Sequence, residues 1–483
     1  MTSARPLLSG LLIPATLLSA CSFAPDYQRP ATAAIPPSFK EAPGWSAATP
    51  SDAVARGAWW TLFNDPTLDT LERKVVVSNQ NLAAAKAAYD QARATVREQR
   101  AALFPTVSLQ SNTNAEGQFA GASGIGFGNG SHTTAATNRS YQIGIGASWE
   151  PDLWGEVGNT VSKARSQAQA SQATLINATL SAQGELALDY IQLRGIEAQK
   201  VALDATVVAY QRALTITTNL YHAGVSAESD VLQAETALDN ARADDLDLTR
   251  QRQTLEHAIA LLVGENPSTF AIASGTWSRA VPDVPSILPS GLLERRPDVA
   301  TAERQVAAAN AGIGIARAAF FPTIGLSGQS GQSASSLGNL FSVASSAWSL
   351  GLSGLLTLVD FGALRARAAE ARATYAQTVA QYRQTVLTAF QQTEDQLVAI
   401  RIYKNVAEQR AAAAEAANRA EQIAQNQYGA GQIAYSSVIV AQTTALSART
   451  ADIQSVVNRQ SAAVALIQAI GGRWSDPAPL TAR

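Results

Sequence analysis

Few side chains in this sequence are placed for bond-making chemistry. His132, His222 and His257 are its three histidines, and they stand far apart with no cysteine beside them. A metal centre needs imidazoles, thiolates or carboxylates that converge on one ion, and the sequence shows no such pattern. Asp244, Asp245 and Asp247 could offer three carboxylates to a divalent cation, but on a helix such a run reads as a solvated face. The stretch Gly124-Ile125-Gly126-Phe127-Gly128-Asn129-Gly130 has the glycine content of a phosphate cradle. It lacks the following helix and the lysine that reads phosphate, so it reads as a loop. These residues argue against an enzyme and against a metal or cofactor. With 36 basic and 38 acidic side chains and a net charge of −2, the chain also offers no basic surface for nucleic acid.

The remaining reactive group is Cys21, the only cysteine. Arg5 precedes an apolar run from Leu7 to Leu18, and Ser19-Ala20 follow. A positive flank, an apolar stretch and small residues make residues 1–20 a secretory signal. Pro6, Gly10 and Pro14 interrupt the run, which falls short of the roughly 20 apolar residues of a membrane-spanning helix. An odd cysteine in an exported protein cannot pair internally. The sequence around Cys21 resembles the lipobox of bacterial lipoproteins. That resemblance implies a covalent diacylglycerol and an N-acyl chain such as palmitate on Cys21, and Ser22 in place of an aspartate implies anchoring in the outer membrane. Beyond the signal there is no apolar run of about 18 residues, and mean hydropathy is −0.01. If this chain crosses a membrane, it does so as strands.

The elements behind these residues are built twice. Leu103-Phe104-Pro105-Thr106 returns as Phe320-Phe321-Pro322-Thr323, Trp154-Gly155 as Phe361-Gly362, and Tyr221-His222-Ala223-Gly224 as Tyr428-Gly429-Ala430-Gly431. The later two pairs share one offset and the first is displaced by about ten residues, so the helical limbs keep register while one loop varies. Each copy contains alternating segments. Tyr141, Ile143, Ile145, Ala147 and Trp149 point one way, with Gln142, Gly144, Gly146, Ser148 and Glu150 opposite. Trp348, Leu350, Leu352, Leu356 and Leu358 repeat this against Ser349, Gly351, Ser353 and Thr357. Val107 and Leu109, then Ile324 and Leu326, alternate with small or polar neighbours. Four strands of about ten residues, apolar on one face and polar on the other, suit a membrane barrel; each alone also fits a half-buried soluble hairpin. Four strands cannot close, and an open edge in hydrocarbon leaves unpaired backbone groups at several kcal/mol each. The chain is therefore expected to oligomerise, and three copies would supply twelve strands.

After Gly155 a helical pattern runs to about Asn219 without a proline, and roughly 65 residues at 1.5 Å each span on the order of 100 Å. Leu186, Tyr190 and Leu193, and in the second copy Tyr375, Val379, Tyr382, Val386, Phe390, Leu397 and Ile400, form a coiled-coil-like seam. Tyr221 to Gly224 and Tyr428 to Gly431 end these helices with the glycine that a reversal needs. Return helices are expected from about Ala227 to Leu262 and from about Ala434 to Ile470.

Together with Pro25-Asp26-Tyr27, Trp59-Trp60 leading to Phe63 and Asp65, and the signature Leu292-Leu293-Glu294-Arg295-Arg296-Pro297-Asp298-Val299 running on to Ala302-Glu303-Arg304, these features cover essentially the whole mature chain. They resemble the outer-membrane efflux channel lipoproteins of the TolC and OprM type, the NodT-like outer membrane factors. The resemblance implies a mixed α/β membrane protein: a homotrimer with a 12-stranded transmembrane β-barrel, continued by a long periplasmic α-helical barrel, with two structural repeats per chain. It implies as partners a periplasmic adaptor, an inner-membrane pump of RND type and outer-membrane lipid. The expected role is a passive exit duct for drugs or small toxic solutes, opened when an adaptor docks on the tips. An outlet for a type I-like protein secretion system shares this architecture, and a periplasmic coiled-coil adaptor is a further alternative.

On this reading the chain divides into a signal (1–20), a lipid-anchored tether or strap (21–66), a first ascending helix (67–105), a first strand hairpin (106–150) and a first long helical hairpin (151–270). A linker with an equatorial segment (271–298), a second ascending helix (299–322), a second strand hairpin (323–358), a second long helical hairpin (359–472) and a tail (473–483) follow. The expected functional residues are the anchor Cys21 and, at the tips, Tyr221, Gly224, Asp230, Gln427, Tyr428, Gly431, Gln432 and Tyr435. The second return helix carries Val440-Ala441-Gln442-Thr443 where the family often has Asp followed by Ala-Gln-Arg. That departure removes a carboxylate and an arginine from the expected constriction, leaving polar and aromatic groups to hold the gate.

Overall fold

A computed structural model describes residues 23–32, 39–41, 58–117, 137–282 and 296–472. Cys21, the signal, Gly124 to Gly130 with His132, Leu292 to Arg295 and the tail 473–483 lie outside the described residues. The chain forms two compact units, one of residues 1–29, 90–169 and 304–379, the other of residues 30–89, 170–303 and 380–483.

The first unit contains one antiparallel sheet of β1 (Thr106–Gly117), β2 (Thr137–Trp149), β3 (Thr323–Ala334) and β4 (Ser346–Leu355), in the order β1-β2-β3-β4. Pro105 and Pro322 stand just before β1 and β3, where a missing backbone donor costs no ladder bond. The β2–β3 pairing joins the two sequence repeats, with Trp149 opposite Leu326 and Ile145 opposite Ser330. Because facing residues of an antiparallel pair share a side of the sheet, register decides the faces. Val107 faces Ala147, Leu109 faces Ile145, and Leu326 faces Leu352, so the apolar sets of all four strands fall on one face. Leu356 and Leu358 continue the sequence alternation but lie past the end of β4, so the last strand is shorter than the pattern predicts.

That apolar face is bare. Val107, Leu109, Trp348, Leu350 and Leu352 are each two-thirds or more exposed. Covering a large apolar side chain is worth about 1.5–3 kcal/mol, so a face of this kind calls for lipid or a partner. Phe321 stacks on Phe23 at 4.4 Å and on Trp154 at 5.0 Å between ring centroids. The Trp154 indole donates to the Pro322 carbonyl at 2.7 Å. Asn310 and Arg317 donate to the carbonyls of Pro25 and Phe23, so the strap begins on the turn that starts β3.

The second unit is helical. α1 (Pro66–Ser78) starts at Asp65, whose carboxylate accepts from the backbone of Thr67 and Leu68, a strong N-cap with proline at the first helical position. The expected single ascending helix is broken at Asn79. Its side-chain oxygen caps α2 (Gln80–Ala101) by accepting from Asn81 and Leu82, and its amide donates to the Leu262 carbonyl. In the second copy α5 (Pro297–Ala318) is continuous.

Four long helices complete the chain: α3 (Glu156–His222), α4 (Glu228–Leu262), α6 (Ala363–Gly429) and α7 (Tyr435–Ala469). α2, α3, α5 and α6 each contribute residues to both units. Asp152 and Asp360 cap the first turns of α3 and α6, accepting from Val157 and Gly158 and from Gly362 and Leu364 respectively. Leu186, Tyr190 and Leu193 of the expected seam are buried with Trp59, Trp60, Phe63, Leu68, Leu71 and Val75 in one apolar cluster. Tyr382 and Val386 are buried as well. Parts of the strap lie along α6: Phe39 packs edge-on against Phe390, and Glu394 accepts from the backbone of Lys40 and Glu41. No described helix is long and apolar enough to cross a membrane.

Candidate functional site

The two hairpin tips have the same backbone. Gly224 and Gly431 adopt φ of +75° and +71°. The amide of Gly224 donates to the Tyr221 carbonyl and that of Val225 to Leu220; Gly431 donates to Tyr428 and Gln432 to Gln427 in the same way. Paired bonds of this type around a left-handed glycine are the Schellman ending of a helix. The site glycines are therefore structural, because a side chain in that conformation costs about 1 kcal/mol.

Each hairpin is braced by the same pair of positions. Arg242 on α4 donates to the Gln211 side chain on α3 at 2.7 Å, and Arg449 on α7 donates to Asn418 on α6 at 2.6 Å and to Glu421 at 2.7 Å. These braces escaped the sequence reading, yet Arg242 and Arg449 stand at the offset that relates the two tips. Asp244 to Asp247 is not a gathered acidic site: Asp245 pairs with Lys200, and Asp247 with Arg250 and Gln251.

The tips differ in their side chains. Tyr221 and Gly224 are exposed, and the Tyr221 ring lies beside His222. Gln427, Gly431 and Gln432 are also exposed, whereas Tyr428 and Asp230 are half-buried. Tyr435 is 2 % exposed and packs with Ala234 of α4 and Val438 of α7, with Tyr428 and Ile433 beside them. Tyr435, expected among the tip residues that hold the gate, is buried where α4 and α7 meet. The first copy has Glu228 at the matching place, and alanine at 234 leaves room for the ring. Burial, followed by the nearby phenols of Tyr210 and Tyr428, pushes the Tyr435 hydroxyl up to about 12. Burial and then the Asp230 carboxylate raise that of Tyr428. Both phenols are thus neutral at ordinary pH.

Among the described residues the Tyr435 hydroxyl finds no hydrogen-bond partner, and neither does the side-chain oxygen of Gln442, which is 4 % exposed. A buried hydroxyl without a partner costs about 1–3 kcal/mol. Tyr435→Phe is accordingly expected to raise stability by about 1 kcal/mol, and Tyr435→Ala to lower it by about 3 kcal/mol through the cavity it leaves. Thermal unfolding of the purified variants checks both; a phenylalanine less stable than tyrosine would mean that the hydroxyl has a partner after all. Val440, in the segment that departs from the resemblance, is 66 % exposed, so an apolar side chain stands on the surface there.

The strands supply the second candidate surface. Opposite their bare apolar face lies one of small and polar residues, with Gln110 facing Gly144, Gln329 facing Gly146 and Gln329 also facing Ser349. Gly144 and Gly331 face each other so closely that a Cβ on Gly331 would lie 2.7 Å from the Ile143 carbonyl oxygen. A sheet apolar on one side and wettable on the other separates lipid from water.

Strands of this kind joined to long paired helices with matched reversals define the class of outer-membrane channels. The chain belongs to the outer membrane efflux protein family, whose model matches residues 72–265 and 288–472. It is 31 % identical over 478 residues to the outer membrane protein OprJ of Pseudomonas aeruginosa, covering 97 % of this chain and 96 % of that one. It is 29 % identical over 471 residues to the toluene efflux pump outer membrane protein TtgC of Pseudomonas putida, with the same coverage. The solved structure of the outer-membrane channel OprN superposes with a TM-score of 0.82 at 28 % identity, covering 94 % of this chain and all of that one. The protein is an outer-membrane channel protein, and its apolar strand face is the lipid-facing one.

Proposed function

We propose that this chain is the passive outer-membrane exit duct of a tripartite efflux pump, working as a homotrimer. One observation carries the reading: the four-stranded sheet has an exposed apolar face, a polar opposite face and two open edges. Among the described residues β1 and β4 each have a single neighbour. Three copies joined edge to edge make a twelve-stranded barrel, which satisfies the edge groups and turns the polar face onto water. The long helices continue the passage into the periplasm, and acyl chains on Cys21 add an anchor at the start of the strap.

The cargo is small toxic solutes, in line with the toluene pump named for one relative. Energy comes from an inner-membrane pump of RND type, reached through a periplasmic adaptor at the tips. Gly224 and Gly431 shape those tips, while Tyr221, Gln427, Tyr428, Gln432 and Asp230 form the gate surface around the buried Tyr435. An adaptor favours opening only by binding the dilated form more tightly than the closed one.

Purified full-length protein should run as a heat-modifiable trimer and conduct ions in planar bilayers, with conductance rising on addition of the adaptor. Alanine at Gln427, Tyr428 and Gln432 should raise single-channel conductance. A water-soluble monomer without conductance would overturn the duct. Deletion should cause drug or solvent sensitivity with an unchanged set of secreted proteins; lost secretion with normal drug tolerance would favour the secretion outlet instead.

A further inference from the structure

The water-facing side of the four strands is almost free of charge. Glu116 is its one ionisable side chain among the described strand residues; every other residue on that face is Gly, Ser, Thr, Asn, Gln, Ala or Leu. Glu116 lies at the end of β1 away from α2, opposite Asn138. The Asn114 side-chain amide, two residues earlier on the same face, donates to its Oε1 at 3.1 Å. Arg139, the one basic residue in the strands, faces Ala115 and therefore lies on the lipid side. Between Glu116 and Arg139 the sequence has only His132 as an ionisable group, and between Arg317 and Asp360 it has none.

We infer that Glu116 gives the outer opening of the passage a preference for cationic solutes. The inference rests on the trimeric duct proposed above, in which symmetry brings three Glu116 carboxylates to the end of the barrel remote from the helices. No basic side chain on that strand face offsets their field. Low-dielectric walls concentrate such a field in the opening, and it acts most strongly at low salt, where the screening length reaches about 30 Å. Neutral solutes would pass the amide- and hydroxyl-lined strands indifferently, whereas cations would gather at the mouth and anions would be held back.

The test uses the full-length trimer in planar bilayers at low salt, with hexaamminecobalt(III) added to one chamber at a time. A trivalent cation should block from one side only, the side that the strand loops face. The half-blocking concentration from that side should rise about tenfold in Glu116→Gln and stay close to wild type in Glu116→Asp. Current reversal under a salt gradient should shift toward anions in Glu116→Lys. Equal block of wild type and Glu116→Gln overturns the assignment, as does block from the opposite chamber alone. Absence of conductance in every variant overturns the duct itself, a different result from an open channel whose selectivity ignores Glu116.

Discussion

Wild-type protein should lose stability as pH rises from about 5 to 9, and Glu72→Gln should remove most of that slope. Glu72 sits on α1 between Leu68 and Val75 on the buried face of the helix, and all three are 0–1 % exposed. Neither carboxyl oxygen has a hydrogen-bond partner among the described residues. Burial pushes its pKa from 4.5 to about 9, because an apolar surrounding disfavours the charged form. Between those values the unfolded chain has released the proton and the folded chain has kept it, so the folded state binds more protons and stability falls with pH. The penalty is absent below about 4.5, grows by about 1.4 kcal/mol per pH unit and levels off above about 9. At pH 7 it amounts to about 3 kcal/mol. Thermal midpoints of wild type and Glu72→Gln in detergent, measured from pH 4 to 10, should converge at the acid end and separate progressively toward pH 9. Parallel curves would show that Glu72 finds a partner or water in solution.

Arg194→Met should cost about 3 kcal/mol and loosen the chain at Ala273, whose carbonyl Arg194 holds. The Arg194 guanidinium, 4 % exposed, donates to the Tyr190 hydroxyl at 3.0 Å, to Glu197 at 2.6 Å and to the Ala273 carbonyl at 3.0 Å. Tyr190 in turn donates to Asp65, the cap of α1, at 2.7 Å. Glu197 is shared with Arg252 of α4, which also donates to the Ile272 carbonyl. The network thus ties α1, α3, α4 and the connecting chain together, and Gly275 lets that chain lie against the guanidinium, with 3.1 Å between it and a would-be Cβ. Removing one member of a buried charged network costs about 3–5 kcal/mol, because its partners stay buried. Arg252 still serves Glu197, which places the effect near the lower end. Arg194→Lys keeps the charge but loses the fork of donors and should recover only part of the loss. Hydrogen exchange at residues 270–275 should accelerate in Arg194→Met. Unchanged exchange there, with an unchanged melting temperature, would remove the network from the account of stability.

Much of this architecture is legible in the chain itself. A strand's period of two makes Val107, Leu109, Ile145 and Trp149 declare their face without reference to any neighbour. A helix must stop where a left-handed glycine follows a tyrosine turn, so Gly224 and Gly431 mark both tips. Duplication strengthens each signal by showing it twice, and hydropathy alone requires that any membrane segment be built of strands. Tertiary structure decided matters that depend on which side chain meets which. Tyr435 reads as a tip residue by position, and only the approach of Ala234 buries it. Nothing in the sequence around Glu72 marks it out, and only the packing around it strips its carboxyl of water. Glu116 and Arg139 carry opposite charges near the ends of adjoining strands, yet the register places them on opposite faces. Local periodicity is a property of the backbone and survives in one dimension, whereas burial, pairing and charge isolation arise from residues distant in the chain and exist only once it has folded.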